Sequence, residues 1–183
     1  MIKGLKYIPS FISLEEEIKL IFNVDSQPWL KDLKRRTQHY GYKYDYTKKT
    51  IDSSLYLGKI PFWLDSYCYK LADKGIFKSV PNQVIVNEYQ PGQGISKHVD
   101  CVGCFGETVA SLSLNSACVM HLENRHTGLA GEIALAPLSL LVLSDEARYD
   151  WLHSIPARTS DMIANQSLPR GRRISLTFRT VLL

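Results

Sequence analysis

The chain has 183 residues, of which 45% are hydrophobic and 22% are charged, with a net charge of +4. These proportions exclude a disordered chain and fit one folded domain of ordinary size. No stretch of about 18 apolar residues occurs, and the N-terminus lacks the hydrophobic segment of a secretory signal. We therefore expect an intracellular protein, cytoplasmic or nuclear, without a membrane span and with reduced cysteine thiols: Cys68, Cys101, Cys104 and Cys118.

The first part of the chain predicts two helices. Ser13 can cap a helix that carries Glu16 three residues later, and the apolar residues of this helix recur at helical spacing: Leu14, Ile18, Ile21 and Phe22. The segment from Phe62 to Ala72 follows Pro61, which is a suitable first residue of a helix, and predicts a second amphipathic helix.

Between these helices lies a basic and tyrosine-rich segment. Residues 31–49 contain seven lysines and arginines against two aspartates, and tyrosines alternate through a predicted β segment at residues 38–46, with Gly41 inside it. Basic residues interleaved with aromatic ones suit phosphate contacts and base stacking. A solvated, twisted hairpin with tyrosines on both faces explains the same pattern equally well, so composition does not decide between the two.

From about residue 83, short β-rich runs alternate with Gly, Pro and Asn to the end of the chain. The eight predicted strands are QVIVNEY, ISKHVD, VASLSLN, CVMHLE, GEIALA, LSLLVLS, WLHSI and RISLTFR. This pattern predicts a β-sandwich or jelly-roll barrel rather than a βαβ fold. We expect a mostly β fold with flanking helices in a single domain spanning 1–183, with an N-terminal extension over 1–80 and a jelly-roll core over 81–183.

His98 and Asp100 lie two residues apart in ISKHVD, so in an extended segment their side chains project to the same side. His153 in the strand WLHSI is the natural third ligand, because a jelly roll can bring that strand alongside. Two histidines and one carboxylate on one face form the facial triad of non-haem Fe(II) oxygenases. Taken alone, a His-x-Asp pair is more often a surface hydrogen bond, and three other histidines are available: His39, His121 and His126.

The last predicted strand alternates, and one of its faces carries only polar residues: Arg173, Ser175, Thr177 and Arg179. Two arginines directed into a barrel need anionic partners, and their guanidinium groups could bracket a small dicarboxylate by bidentate pairing. Asn87 and Tyr89 share a face at the end of QVIVNEY and could hydrogen-bond the same acid. The structural alternatives are an edge strand with its polar face in water and a strand end that enters a turn.

In order and spacing, four segments resemble the AlkB family of dioxygenases: NEYQPGQGISKHVD, VASLSLNS, SDEARYDWLHSIPAR and RRISLTFR. The earlier segment QHYGYKYDY is similar to the nucleotide-recognition segment of that family. The resemblance implies a double-stranded β-helix (jelly-roll) core with an N-terminal helical and nucleotide-recognition extension. It also implies iron at His98, Asp100 and His153, and contacts to 2-oxoglutarate from a further set of residues: Asn87, Tyr89, Arg173, Ser175 and Arg179.

The same resemblance implies a reaction that uses Fe(II), 2-oxoglutarate and O₂, with ascorbate as the reductant in vitro. The keto acid becomes succinate and CO₂ while a substrate C–H bond is hydroxylated, and a hydroxylated N-methyl group sheds formaldehyde. The expected partner is single-stranded DNA or RNA, with transfer RNA as one candidate, and the expected state is a monomer. The candidate nucleic-acid contacts are basic and tyrosine residues: Arg35, Arg36, Tyr40, Tyr42 and Tyr44.

Several alternatives stay open at this point. Repair of alkylated bases, modification of a transfer-RNA nucleoside and oxidation of a protein side chain all fit, although the similarity is closer to members that act on transfer RNA. A non-catalytic nucleic-acid-binding protein is the alternative of another class, and the intact histidines and arginines argue against it. A structural zinc site at Cys101-Val-Gly-Cys104 is weaker, because no second C-x₂-C pair lies at finger spacing.

Overall fold

Two large β-sheets, one short hairpin and three α-helices make up the fold, which the computed structural model describes over residues 2–183. In chain order the strands are β1 (Leu5–Ile8), β2 (Thr37–Tyr40), β3 (Gln83–Tyr89), β4 (Ile95–His98), β5 (Phe105–Leu114), β6 (Cys118–Asn124), β7 (Ala130–Leu135), β8 (Leu140–Leu143), β9 (Trp151–Ile155), β10 (Ser160–Ile163), β11 (Gln166–Pro169) and β12 (Arg173–Val181). The helices are α1 (Leu14–Asp25), α2 (Phe62–Asp73) and α3 (Asp145–Tyr149). Among the described residues, no helix has both the length and the apolar character needed to cross a membrane.

The major sheet has the strand order β1-β8-β5-β12-β3-β2, the minor sheet has the order β4-β9-β6-β7, and β10 and β11 form the hairpin. Every pairing between these strands is antiparallel. This arrangement confirms the predicted mostly β fold with a jelly-roll core. The first 80 residues contribute β1 and β2, which pair with β8 and β3 and so complete the major sheet.

The two faces of β12 differ, as its alternating sequence predicts. Ile174, Leu176 and Phe178 are almost completely buried, and they pack with Leu20 of α1 and Leu64 of α2 in one hydrophobic cluster. Complete burial of each such side chain contributes about 1.5–3 kcal/mol to folding. The helices therefore cover one face of the major sheet, and the polar residues of β12 point to the opposite face, towards the minor sheet.

Helix α1 begins with the capping box that the sequence predicts. Glu16 N donates to Ser13 Oγ at 3.1 Å, and Ser13 N donates to Glu16 Oε2 at 2.8 Å. The face that this helix buries differs from its most apolar stripe, however. Three of the four apolar residues used to predict the helix are exposed, and the buried positions are Glu17, Leu20 and Val24. Buried Glu17 is satisfied because its Oε1 accepts from Asn115 N at 2.7 Å.

Each of the eight predicted strands has a counterpart in the structure, whereas β1, β10 and β11 were not predicted. The tyrosine-rich β segment is shorter than expected. Strand β2 ends at Tyr40, because Gly41 has a φ of +77° and the main chain of Asn82 leaves no room for a side chain there. Helix α2 spans the predicted region, but Pro61 is its N-cap residue rather than its first helical residue.

Candidate functional site

Two neighbouring strands of the minor sheet bring the predicted metal ligands together. In the pairing of β4 with β9, His98 lies directly opposite His153, and the centroids of the two rings are 4.3 Å apart. Asp100 follows β4 by two residues, and its Oδ1 lies 3.8 Å from His98 Nε2. One ligand atom from each residue lies within 4.8 Å of the other two. The three side chains form the two-histidine, one-carboxylate set that suits non-haem Fe(II).

The hydrogen bond of His98 and the burial of His153 both suit metal binding, which requires neutral imidazole. His98 Nδ1 lies 2.8 Å from the Ser96 carbonyl oxygen, so this nitrogen donates a hydrogen bond and Nε2 is left free to bind a metal. Burial lowers the pKa of His153 to about 4, against the opposing influence of the Asp100 charge. The His153 ring can therefore act as a neutral ligand near neutral pH.

Asp100 is held as a carboxylate by its surroundings. Burial acts to raise its pKa, but the charge and hydrogen bonds of Arg179, with a contribution from the two histidines when they are protonated, outweigh burial and hold the pKa well below its ordinary value. Arg179 donates from Nε and Nη2 to the two carboxylate oxygens at 3.2 and 3.3 Å, and from Nη1 to Gln83 at 3.2 Å. The sequence suggested Arg179 as a contact to 2-oxoglutarate, and the structure places its guanidinium on a metal ligand.

An inner pocket lies between the two sheets, beside the triad. Arg173 lines this pocket and is only 3% exposed. Its Nη2 donates to Ser113 Oγ at 2.9 Å, while its Nε and Nη1 are buried and have no hydrogen-bond partner among the described residues. A buried guanidinium without an anionic partner is costly, so its free N–H groups fit a carboxylate bound beside Arg173.

The rest of the inner pocket combines an apolar wall with a few hydroxyl groups. Tyr89 and Ser175, both suggested by the sequence, line it, and the Tyr89 ring centroid lies 5.5 Å from Arg173 Cζ. The apolar lining comes from five strands of both sheets: Ile95, Val109, Met120, Leu141, Leu143 and Ile155. A small acid with a charged end at Arg173 and its other end at the triad suits this shape and polarity.

A wider outer pocket opens on the other side of the triad. Asp100 and Arg179 line both pockets. The outer pocket combines basic and aromatic side chains: Arg35, Tyr44, Tyr46, Lys49, Lys97 and Phe105. Asn87 also lines the outer pocket rather than the inner one, and its Oδ1 accepts from Arg35 Nε at 3.0 Å. Asp100 is the single acidic residue in this lining.

The predicted nucleic-acid contacts divide into two groups. Arg35 and Tyr44 line the outer pocket. Arg36 instead forms a bidentate ion pair with buried Glu88 at 2.6 and 2.8 Å, and it stacks 4.5 Å from the centroid of the Trp29 ring. Because these contacts hold the Arg36 side chain within the fold, we remove Arg36 from the candidate substrate contacts.

Tyr40 and Tyr42 also lie outside the outer pocket. Tyr40 packs edge-on against Trp63 at 5.6 Å, and burial raises its pKa to about 12. Tyr42 packs against Tyr56 with ring centroids 5.0 Å apart. Positions 40 and 42 therefore support the fold of the segment, and we remove them from the candidate contacts as well.

The sequence did not single out Tyr46, Lys49 and Lys97, which line the outer pocket. The signals were weak but present, since Tyr46 continues the tyrosine alternation and Lys97 directly precedes a predicted ligand. His39 was also not recognised as an anchor of this segment. Its Nδ1 accepts from Tyr44 N at 3.1 Å, and its ring packs edge-on against Tyr46 at 5.7 Å.

The cysteines near the triad correct one expectation. Cys101 and Cys104 form a disulfide, with their Cα atoms 5.3 Å apart, whereas Cys68 and Cys118 are free and buried. The prediction of four reduced thiols is therefore wrong for this pair, because the turn in which Cys104 N donates to Cys101 O brings the two side chains together. Paired sulfurs offer no thiolate ligands, so the structural zinc site loses its basis.

Comparisons with known proteins agree with this geometry. The sequence profile of the 2OG-Fe(II) oxygenase superfamily matches residues 4–179. The "Alkylated DNA repair protein ALKBH8 homolog" of Arabidopsis thaliana is 32% identical over 98% of this chain and 59% of its own length. The "tRNA (carboxymethyluridine(34)-5-O)-methyltransferase ALKBH8" of Mus musculus is 36% identical over 97% of this chain.

This chain spans only 30% of the length of the mouse relative. Among solved structures, "The structure of OsALKBH1" superposes with a TM-score of 0.70, at 14% identity, and covers 97% of this chain and 98% of its own. At that identity the superposition shows a shared fold. The "Alpha-ketoglutarate-dependent dioxygenase alkB homolog 7, mitochondrial" of Mus musculus is 33% identical over 94% of this chain and 76% of its own length. The family profile and this relative establish that the chain belongs to the AlkB family of the 2OG-Fe(II) oxygenase superfamily.

Proposed function

We propose that this protein uses Fe(II), 2-oxoglutarate and O₂ to oxidise alkyl groups on the bases of single-stranded nucleic acid. The observation that carries the proposal is the position of the triad between two pockets of different chemistry. One pocket holds an unpaired buried arginine, and the other is lined by basic and aromatic side chains. A keto acid suits the first pocket, and a base attached to a phosphate backbone suits the second.

The residues of the inner side have distinct tasks in this proposal. His98, Asp100 and His153 hold Fe(II), and the guanidinium of Arg173, which has free N–H groups, binds the distal carboxylate of 2-oxoglutarate. When bound, iron, keto acid and O₂ supply an oxidant that hydroxylates a C–H bond as the keto acid becomes succinate and CO₂. The apolar lining of the inner pocket keeps water away from this end of the site.

The residues of the outer side position the substrate. Tyr44 and Tyr46 offer ring faces for a base, and Arg35, Lys49 and Lys97 offer positive charge to phosphate groups. A base inside a duplex cannot reach a site between two sheets, so the target is unpaired or flipped. Hydroxylation of an N-methyl group gives a product that releases formaldehyde, and the base is thereby demethylated.

A modified nucleoside of transfer RNA is a second candidate substrate. It is favoured by the mouse relative, whose name describes a transfer-RNA modifying enzyme and which matches 97% of this chain. The arrangement of the outer pocket suits a single-stranded loop of RNA as well as single-stranded DNA. A non-catalytic binding role is disfavoured, because such a role gives no reason for a free guanidinium in a pocket beside the triad.

Mass spectrometry of a single-stranded oligonucleotide that carries 3-methylcytosine tests the proposal. The oligonucleotide is incubated with protein, Fe(II), 2-oxoglutarate and ascorbate, and the Asp100→Ala variant serves as the control. We expect loss of one methyl group with wild-type protein only, together with formation of succinate. Succinate without demethylation would direct the search to transfer-RNA substrates. Absence of both products with all nucleic-acid substrates would contradict the proposal.

A further inference from the structure

Arg148 is the largest of the almost completely buried side chains in the described part of the chain, with 2% of its surface exposed. It lies in α3, directly before β9, and it faces no carboxylate within ion-pairing distance among the described residues. A buried arginine without an anionic partner is rare, because removing its charge from water is costly. Other groups must therefore compensate for the loss of water.

The compensating groups are four main-chain carbonyl oxygens, two at the proposed metal ligand Asp100 and the residue after it, and two at the start of β5. Arg148 Nη1 donates to Asp100 O at 2.9 Å, which is the shortest of the four hydrogen bonds. The remaining donors, Nη2 and Nε, contact three other carbonyl oxygens at 3.3, 3.4 and 3.3 Å: those of Cys101, Phe105 and Gly106. The guanidinium of Arg148 thus binds the main chain at both ends of the loop between β4 and β5.

This arrangement fixes Asp100 from a second direction. Arg179 holds the carboxylate oxygens of Asp100, and Arg148 holds its main-chain carbonyl. Arg148 is also only five residues before His153, and α3 leads directly into the strand that carries this histidine. A single side chain therefore connects the segment that bears one proposed ligand to the segment that bears another.

We infer that Arg148 is a positioning residue of the metal site, which sets the distance of the Asp100 carboxylate from His153 by bonding the loop main chain. The inference rests on the proposed function, since it assumes that the triad binds a metal. Arg148 itself touches neither the proposed substrate pocket nor the inner pocket. Outer partners that orient metal ligands typically change metal affinity by about 10–100-fold when removed.

The test is the binding of Mn(II) to purified protein, followed through the paramagnetic resonance signal of the free ion. Arg148→Met removes all four hydrogen bonds, and Arg148→Lys keeps the charge but concentrates its donors on one atom. Leu64→Ala serves as a matched control, because it destabilises the hydrophobic core beneath α2, away from the loop. Thermal unfolding of the metal-free proteins reports the general loss of stability in each variant.

We expect Arg148→Met to weaken Mn(II) binding by about 10–100-fold, Arg148→Lys to weaken it less, and Leu64→Ala to leave it unchanged at a similar melting temperature. If Arg148→Met does not fold, the same comparison is made with Arg148→Lys. Equal Mn(II) affinity in wild-type and Arg148 variants, or an equal loss in Leu64→Ala, would overturn the inference. Failure of the wild-type protein to bind Mn(II) would instead refute the metal site on which the inference depends.

Discussion

The inner and outer pockets meet at the same triad, but they are built in different ways. The inner pocket is lined by residues from paired strands, and β12 alone supplies Arg173, Ser175, Thr177 and Arg179. The outer pocket takes half of its lining from residues outside the strands: Leu33 and Arg35 before β2, Tyr44, Tyr46 and Lys49 after it, and Val99, Asp100 and Cys101 after β4. Strand register therefore fixes all of the inner lining except Asp100, whereas loop packing fixes half of the outer lining.

The two kinds of construction suit two different tasks: the inner pocket suits the oxidation chemistry, and the outer pocket suits selection of the substrate. Strand residues cannot move without breaking the sheet, so a sheet suits the metal and the keto acid, whose positions must be exact to about 0.5 Å for catalysis. Loops tolerate change more readily and commonly carry specificity. We therefore expect variants of the inner pocket to abolish turnover and variants of the outer pocket to change substrate affinity.

Loss of the carboxylate ligand should have the largest effect. Asp100→Ala removes one of three ligands and leaves Arg179 buried without its partner. Because loss of an outer partner already weakens metal binding by about 10–100-fold, we expect a still larger loss of Mn(II) affinity and no detectable succinate. Glu107→Ala, which removes an exposed carboxylate paired with Lys78, is the control and should behave as wild type. Wild-type affinity in Asp100→Ala would contradict the assignment.

Loss of the buried arginine should act on the keto acid rather than on the metal. We expect Arg173→Gln to weaken binding of 2-oxoglutarate by at least about tenfold, since a charge-assisted hydrogen bond contributes about 1.5–3 kcal/mol. Arg173→Lys should recover only part of the loss, because an ammonium group lacks the fork of guanidinium. The KM for 2-oxoglutarate measures the effect, with the exposed Arg125→Gln as the control. An unchanged KM in Arg173→Gln would refute the role of this residue.

Two adjacent arginines offer a sharper test of the outer pocket. Arg35 lines this pocket and lies 6.0 Å from the Tyr46 ring centroid, whereas Arg36 is paired with Glu88. We expect Arg35→Gln to weaken oligonucleotide binding and to reduce its salt dependence by about one phosphate contact. Arg36→Gln should lower the melting temperature and leave oligonucleotide affinity unchanged. Fluorescence anisotropy at several salt concentrations measures the oligonucleotide affinity of both variants, and thermal unfolding measures their melting temperatures. Equal losses of affinity in the two variants would contradict the assignment of Arg35 to the pocket and Arg36 to the fold.

Replacement of an aromatic residue tests the stacking surface separately from charge. Tyr44→Ala should weaken oligonucleotide binding by about 1–3 kcal/mol, the usual contribution of one stacked base. Tyr42→Ala removes a ring that packs against Tyr56 outside the pocket, and it should affect only stability. Anisotropy titrations with the same oligonucleotide compare the two variants. A larger loss of affinity in Tyr42→Ala would reverse our assignment of the two tyrosines.

The sequence predicted the inner pocket well because strands impose simple rules. Alternation along β12 placed Arg173 and Arg179 on one face, and the two-residue spacing placed His98 beside Asp100. The division of labour between the arginines was not predictable. Whether Arg179 contacts a ligand or Asp100 depends on packing between β12 and the loop after β4, which no local pattern encodes.

The outer pocket was predicted less well, because side-chain direction in a loop does not follow a period. Tyr40, Tyr42, Tyr44 and Tyr46 alternate in the sequence, but the positive φ of Gly41 ends the strand after the first of them. Only Tyr44 and Tyr46 then face the pocket. The disulfide was missed for a similar reason, since C-x₂-C spacing does not distinguish a turn that joins two sulfurs from one that separates them.

The smallest expected effect concerns Glu88, whose ion pairs with Arg36 and Arg172 stabilise the fold next to the outer pocket. Glu88 is 2% exposed and accepts hydrogen bonds from Arg36 and Arg172. Burial acts to raise the pKa of Glu88, but these two arginines outweigh it and lower the pKa below the ordinary value of 4.5. A lowered pKa means that the stabilisation is complete above pH 4.5 and is lost as the pH falls through the lowered value.

Glu88→Gln should therefore lower the melting temperature at pH 7 by about 2–4 °C for each kcal/mol lost, as expected for a chain of this size. The difference from wild type should narrow below pH 4.5, because wild-type Glu88 then becomes neutral as well. Differential scanning calorimetry from pH 7 to pH 3 measures this difference in melting temperature. A difference in melting temperature that stays constant over this range would contradict the prediction, because it would show that the Glu88 charge does not cause the loss of stability. Oligonucleotide affinity at pH 7 should stay unchanged, because Glu88 supports Arg36 and does not line the outer pocket.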